Sequence, residues 1–154
     1  MKFRYTIVLM LVFVLALSAC APAGEEPADQ VSADDPCAND AFGCAVVEPG
    51  QTIKIGMSSP MTGPYADFGI DAENSGLIGV ADAGEVEGFA FELIAEDDEG
   101  SPEGGAAVAN KLVADQTFVG MAGPLFSGAT AAAMPIYEAA GIPMMSPSAT
   151  AGFL

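Results

Sequence analysis

Histidine and tryptophan are absent from this chain of 154 residues, and lysine plus arginine number four against 21 aspartates and glutamates. Without histidine, no Ser-His-Asp or Cys-His relay can be assembled within the chain. A zinc site is equally ill served, because Cys37 and Cys44 are the only nearby thiols left to supply ligands. Neither a G-x-S-x-G elbow nor a G-x-x-x-x-G-K-S/T phosphate loop occurs. Enzyme chemistry is therefore not expected, and no cofactor is implied. A formal net charge of −17 excludes nucleic acid as a partner, since a polyanion is bound by cationic side chains that displace its counterions. The acidic run Glu96-Asp97-Asp98-Glu99 lacks the spaced Asp/Asn-Gly pattern of a calcium loop, so it reads as a solvated face and not a metal site. Met134, Met144 and Met145 read as core packing rather than soft-metal ligands.

What is present begins with an address. Lys2 and Arg4 precede an unbroken apolar run over residues 7–17. Eleven apolar residues are too few to cross about 30 Å of hydrocarbon, but they suit the centre of a secretory signal. The run ends in Leu17-Ser18-Ala19-Cys20, which resembles a bacterial lipoprotein cleavage box. The resemblance implies cleavage before Cys20 and acylation of its thiol and new amino group; more than one acyl chain gives stable anchoring. An ordinary signal peptide that contains a cysteine is the plainer alternative. Residues 1–19 are then the signal, 20–50 an acidic Ala/Pro-rich tether headed by the acylated cysteine, and 51–154 the folded part. The expected location is the outer face of the cytoplasmic membrane. Cys37 and Cys44 form an even pair in an oxidising compartment, where a disulfide closing a short loop is the default. Loss of residues 1–19 leaves Lys54 and Lys111 as the remaining basic residues. Such a chain is held near a membrane by its lipid and not by a basic patch.

From residue 51 the pattern becomes regular. Strands are expected at 52–57, 89–95, 118–122 and 142–145, and helices at 66–83, 102–115 and 127–140. Pro102 suits a first helical turn, where its missing N–H is no loss. Strands alternating with helices argue for an α/β fold, a parallel sheet with right-handed crossovers. Ligands of such sheets bind beyond the carboxyl ends of the strands. Four connections lie there, at 58–67, 96–101, 123–130 and 146–150. Ser127 opens a helix, whose free N–H groups favour an anion such as a carboxylate. Ser148 and Thr150 can offer a carbonyl and a hydroxyl to an ammonium. Serine and threonine are also the preferred helix caps, and a cap needs no ligand.

Three separated segments carry a family resemblance: IKIGMSSPMTGPYADFG, ELIAEDDEGSPEGGAAVANKLVAD and GPLFSGATAAAMPIYEAAGIPMMSPSAT. In that order and spacing they resemble the branched-chain amino acid binding proteins of ABC importers, periplasmic binding proteins of the first type. The resemblance covers nearly all of the folded part. It implies a Rossmann-like parallel-sheet lobe, one of two that close on an amino acid or related small solute, with an ABC permease as partner. It also implies that Ser127 holds the ligand carboxylate and that Ser148 and Thr150 contact its carboxylate and ammonium. Phe68 stands where the family often has a tyrosine at the mouth of the site, so its ring can pack on a side chain but offers no hydroxyl. Some relatives bridge the positions of Gly100 and Phe126 with a disulfide, which this sequence cannot form. The second lobe, with its acidic partner for the ammonium, is not within these residues, so the lobe reads as incomplete. The sequence stops at Leu154, where a fourth helix is expected, as a reading frame cut short would. One lobe alone is expected to bind weakly, because closure desolvates the ligand. A ligand sensor or protein-interaction lipoprotein on the same fold is the alternative, since fold alone does not separate these outputs.

Overall fold

The computed structural model of the protein describes Asp40 and residues 44–154. The expected signal, the acylated Cys20 and Cys37 lie outside the described residues. Along the chain run β1 (Ile53–Ser59), a 3-10 turn (Gly63–Tyr65), α1 (Ala66–Ala83), β2 (Glu85–Val86) and β3 (Phe89–Asp97). Then follow α2 (Pro102–Leu112), β4 (Phe118–Ala122), α3 (Ser127–Ala139) and β5 (Met144–Met145). The sheet has the order β2-β3-β1-β4-β5, with β3, β1, β4 and β5 mutually parallel and β2 antiparallel to β3. Leaving the short β2 aside, the chain steps from β1 outward to β3, then returns across β1 to β4 and β5. The sheet therefore reverses direction between β1 and β4, the position where open α/β sheets open a crevice.

Alternation along β1 sets the two faces. A Cβ built on Gly56 would meet Phe118, Leu112 and Met121, whereas the next residue, Met57, meets Gly76 of α1. Successive residues of a strand point to opposite faces, so α1 covers one face and α2 with α3 the other. The second face holds the main core: Val108, Ala109, Leu112, Phe118, Met121, Ala133 and Tyr137. There α2 and α3 cross closely, with the backbone of Gly105 against Ala129. Ser101 caps α2 by accepting the Gly104 N–H at 3.0 Å, and Pro102 occupies its first turn.

Several boundaries depart from the sequence expectation. The strands β1 and β3 each run two residues past the expected end, because Ser58 pairs with Glu96 and Ser59 with Asp97. Helix α2 stops at Leu112, and Asp115 instead bonds Lys54 and Thr117. Strand β5 is only Met144–Met145: the Ile142 N–H is taken by the Tyr137 carbonyl closing α3, and Pro143 has no N–H. Strand β2 is not among the expected elements. It is joined to β3 by Glu87 and Gly88 at φ 55 and 85, the left-handed pair that a two-residue hairpin turn needs.

Candidate ligand-binding site

The carboxyl ends of β1, β3, β4 and β5 deliver four connections to one end of the sheet. The connection after β1 is fixed by Asp97. Its carboxylate accepts the Met61 N–H (2.8 Å), the Thr62 hydroxyl (2.6 Å) and the Glu99 N–H (2.8 Å). Burial works against its charge, but these donors outweigh it and hold the carboxyl below its usual range. Asp98 differs. It is fully buried, with one oxygen accepting from the Ser58 hydroxyl (2.6 Å) and the other from the Gly100 N–H (2.8 Å). Burial pushes its carboxyl up, against those bonds, and the neighbouring Asp97 charge adds to the rise. The expectation that residues 96–99 form a solvated face is thus corrected. Glu99 is exposed, but Glu96 pairs with Lys111 at 2.7 Å and the two aspartates organise the loops. In the main core, the Tyr137 hydroxyl is buried without a hydrogen-bond partner among the described residues. Burial pushes its pKa up, and the charge of Asp98 pushes it further.

Connections after β4 and β5 are laced together by hydroxyls. The Ser146 hydroxyl donates to the Pro124 carbonyl and the Ser148 hydroxyl to the Leu125 carbonyl, both at 2.6 Å. Ser127 accepts the N–H groups of Thr150 and Ala151, each at 3.2 Å. The cap position of α3 is Phe126 and not Ser127, and no side chain caps this helix. Its first intrahelical bond runs from the Thr130 N–H to the Phe126 carbonyl. The helix therefore does not use the amides of Ser127, Gly128 and Ala129, the ordinary state of a helix start. Leu125 ties this connection to β1 by donating its N–H to the Ser58 carbonyl at 3.2 Å.

The four residues expected at the site all lie at this end. Ser127 and Thr150 are joined directly. Ser148 and Phe68 line one depression of about 460 Å³ between α1 and residues 125–126, with Met57, Asp71, Ser75 and Pro147 among its other walls. Phe68 is 61% exposed, so its ring stands open to that depression. Sequence reasoning missed Asp97, Asp98 and Ser58, which hold the loops, and the aromatic pair Tyr65–Phe126, whose centroids lie 5.2 Å apart at 81°. A signal existed for Asp98: it sits at the end of an apolar strand run, where an inward side chain meets the core.

A sequence model of the periplasmic binding protein family matches residues 52–154. The chain is 41% identical over 105 residues to the leucine-, isoleucine-, valine-, threonine- and alanine-binding protein of Pseudomonas aeruginosa, covering 65% of this chain and 27% of that one. It is 36% identical over 104 residues to the Leu/Ile/Val-binding protein of Escherichia coli strain K12, covering 66% and 28%. Among solved structures it is similar to a branched-chain amino acid transporter substrate binding protein from Streptococcus pneumoniae in complex with isoleucine. That match has 33% identity and a TM-score of 0.62 over 66% of this chain and 30% of the other. A solute binding protein of an ABC transporter from Rhodopseudomonas palustris, in complex with 3,4-dihydroxybenzoic acid, matches at 28% identity and TM-score 0.59, over 64% and 27%. The chain thus spans under a third of the length of these relatives. Its mostly parallel sheet, its reversal between β1 and β4 and the matched residues agree: the chain belongs to the periplasmic binding protein family.

Proposed function

We propose that this chain supplies one lobe of an extracytoplasmic solute-binding protein that captures a branched-chain amino acid, or a related small carboxylate, for an ABC importer. The observation that carries the proposal is the convergence of Ser127, Ser148, Thr150 and Phe68 at the sheet reversal. The start of α3 offers amides and a positive dipole end to a carboxylate. The carbonyls and hydroxyls at 148–150 suit an ammonium, and Phe68 with Met57 and Leu125 gives an apolar wall for a side chain. The relatives' names support this ligand class over a sensor with no transport partner. The relative bound to 3,4-dihydroxybenzoic acid supports the shared feature, a carboxylate, more than any one side chain.

Lipid attachment at Cys20 belongs to the same proposal and rests on the sequence Leu17-Ser18-Ala19-Cys20. So does a Cys37–Cys44 bridge. Cys44 is disulfide-bonded, while Cys37 lies outside the described residues. Labelled palmitate should be incorporated by cells expressing the wild type and lost in Cys20→Ala. For the ligand, the test is thermal unfolding with L-leucine, L-isoleucine, L-valine and benzoate. With a weak Kd of about 1 mM, 10 mM ligand would add about 1.4 kcal/mol, several degrees in Tm for a domain of this size. A flat response to all four would sink the ligand class.

A further inference from the structure

One side chain touches three of the four connections at the site. The ring of Phe126 lies on the backbone of Gly100, where a Cβ would stand 3.1 Å from Cδ2 and 3.2 Å from Cε2. That same Cβ would be 3.4 Å from Pro60, so the Phe126 ring, Gly100 and the end of β1 meet at one point. Gly100 holds φ 66, a left-handed conformation that a side chain would resist, and the bare backbone leaves room for the ring. The edge of Tyr65, from the turn before α1, meets Phe126 in a T-shaped contact. Phe126 stands directly between Leu125, which accepts from Ser148, and Ser127, which accepts from Thr150 and Ala151. It also faces the depression shared by Phe68 and Ser148.

We infer that Phe126 is the positioning residue of the site: its ring, seated on Gly100 and edged by Tyr65, locks the connections after β1, β3 and β4 so that Ser127 and Ser148 stand in register. The inference deepens the proposed function and rests on it for the identity of the ligand. Aromatic rings suit this task because they give broad contact with two torsions to fix. Among the described residues the hydrogen bonds join the connection after β4 to the one after β3 only at one remove, through Ser58, which accepts from Leu125 and donates to Asp98; the Phe126 ring joins them directly.

The test compares wild type, Phe126→Ala and Phe126→Tyr by amide hydrogen exchange and by calorimetric titration with L-leucine. In Phe126→Ala, exchange should quicken at residues 60–65, 99–101 and 123–128 while β1, β3 and α2 keep their protection. Leucine affinity should fall at least tenfold, and Phe126→Tyr should restore both. Unchanged exchange at the three connections overturns the inference. So does uniform acceleration through the sheet, which marks plain loss of stability, and so does an affinity within twofold of wild type. If wild type binds no leucine, the proposed ligand falls, and the exchange pattern still decides whether Phe126 locks the loops.

Discussion

At the scale of single residues, two carboxylates respond to pH in opposite senses. Burial raises the pKa of Asp98 above its unfolded value. The folded state therefore favours its neutral form, so its contribution to stability is full below the unfolded pKa and declines as pH rises through the folded one. Asp98→Asn keeps an acceptor for Gly100 and a polar partner for Ser58 while removing the buried charge. It should leave Tm at pH 7 unchanged or higher, with the gap to wild type narrowing below pH 4. Asp98→Ala should instead cost about 1–3 kcal/mol, because it strands the Ser58 hydroxyl and the Gly100 N–H. Urea unfolding at both pH values checks the pair, and an Asn variant less stable than Ala would refute this account. Asp115 has the reverse sign. The bond from Lys54 and then those from Thr117 hold it down to about 2. Its contribution is present above the unfolded value of 3.8 and fades as pH falls toward 2. Lys54→Met should begin acid unfolding at a higher pH than wild type. The shift should be small, since the Asp115 side chain is 38% exposed and solvent screens the pair.

At the scale of elements, α2 is where propensity misleads. Gly104 and Gly105 lie in its first turns, and on an exposed helix a Gly→Ala change stabilises by about 1 kcal/mol. Here a Cβ on Gly105 would stand 2.6 Å from the Ala129 carbonyl, and one on Gly104 would collide with that of Asp98. Gly105→Ala must push α2 away from α3, at a cost of about 1–3 kcal/mol for an overpacked contact. A chemical denaturation midpoint lower than wild type is the expected result; a higher one would show that the crossing is looser than described. The same contrast explains what the sequence made legible. Periods of apolar residues revealed the three helices and four parallel strands, because those elements bury one side against a neighbour. The hairpin strand β2 escaped notice because both of its residues are exposed and its turn is Glu87-Gly88 rather than the stronger Asn-Gly signal. Ser127 was legible as a helix start, but its role in accepting two N–H groups from the β5 connection depends on partners 23 and 24 residues away. Such partners have no local signature. Nor has the seat of Phe126 on Gly100, which joins loops from different crossovers.

At the scale of the whole molecule, charge is the unusual quantity. The ion pairs Lys54–Asp115 and Lys111–Glu96 engage both lysines of the described residues, while the sequence as a whole carries −17. Acidic side chains such as Asp67, Asp71, Asp82, Glu85 and Glu87 are exposed, and both lysines of the described residues are paired elsewhere. Like charges at this density oppose the compact state. Salt shortens their reach from about 30 Å at 0.01 M to about 3 Å at 1 M. It weakens the two surface ion pairs as well, but exposed pairs contribute little to begin with. Repulsion should therefore dominate the balance, and sodium chloride should raise Tm steadily between these concentrations. Apolar burial also strengthens when an excluded salt is added, so the control is a variant with four of these exposed carboxylates changed to their amides. If screening is the cause, that variant starts from a higher Tm and gains less from salt. An equal gain in both proteins would assign the effect to apolar burial and show that charge repulsion is not what salt relieves.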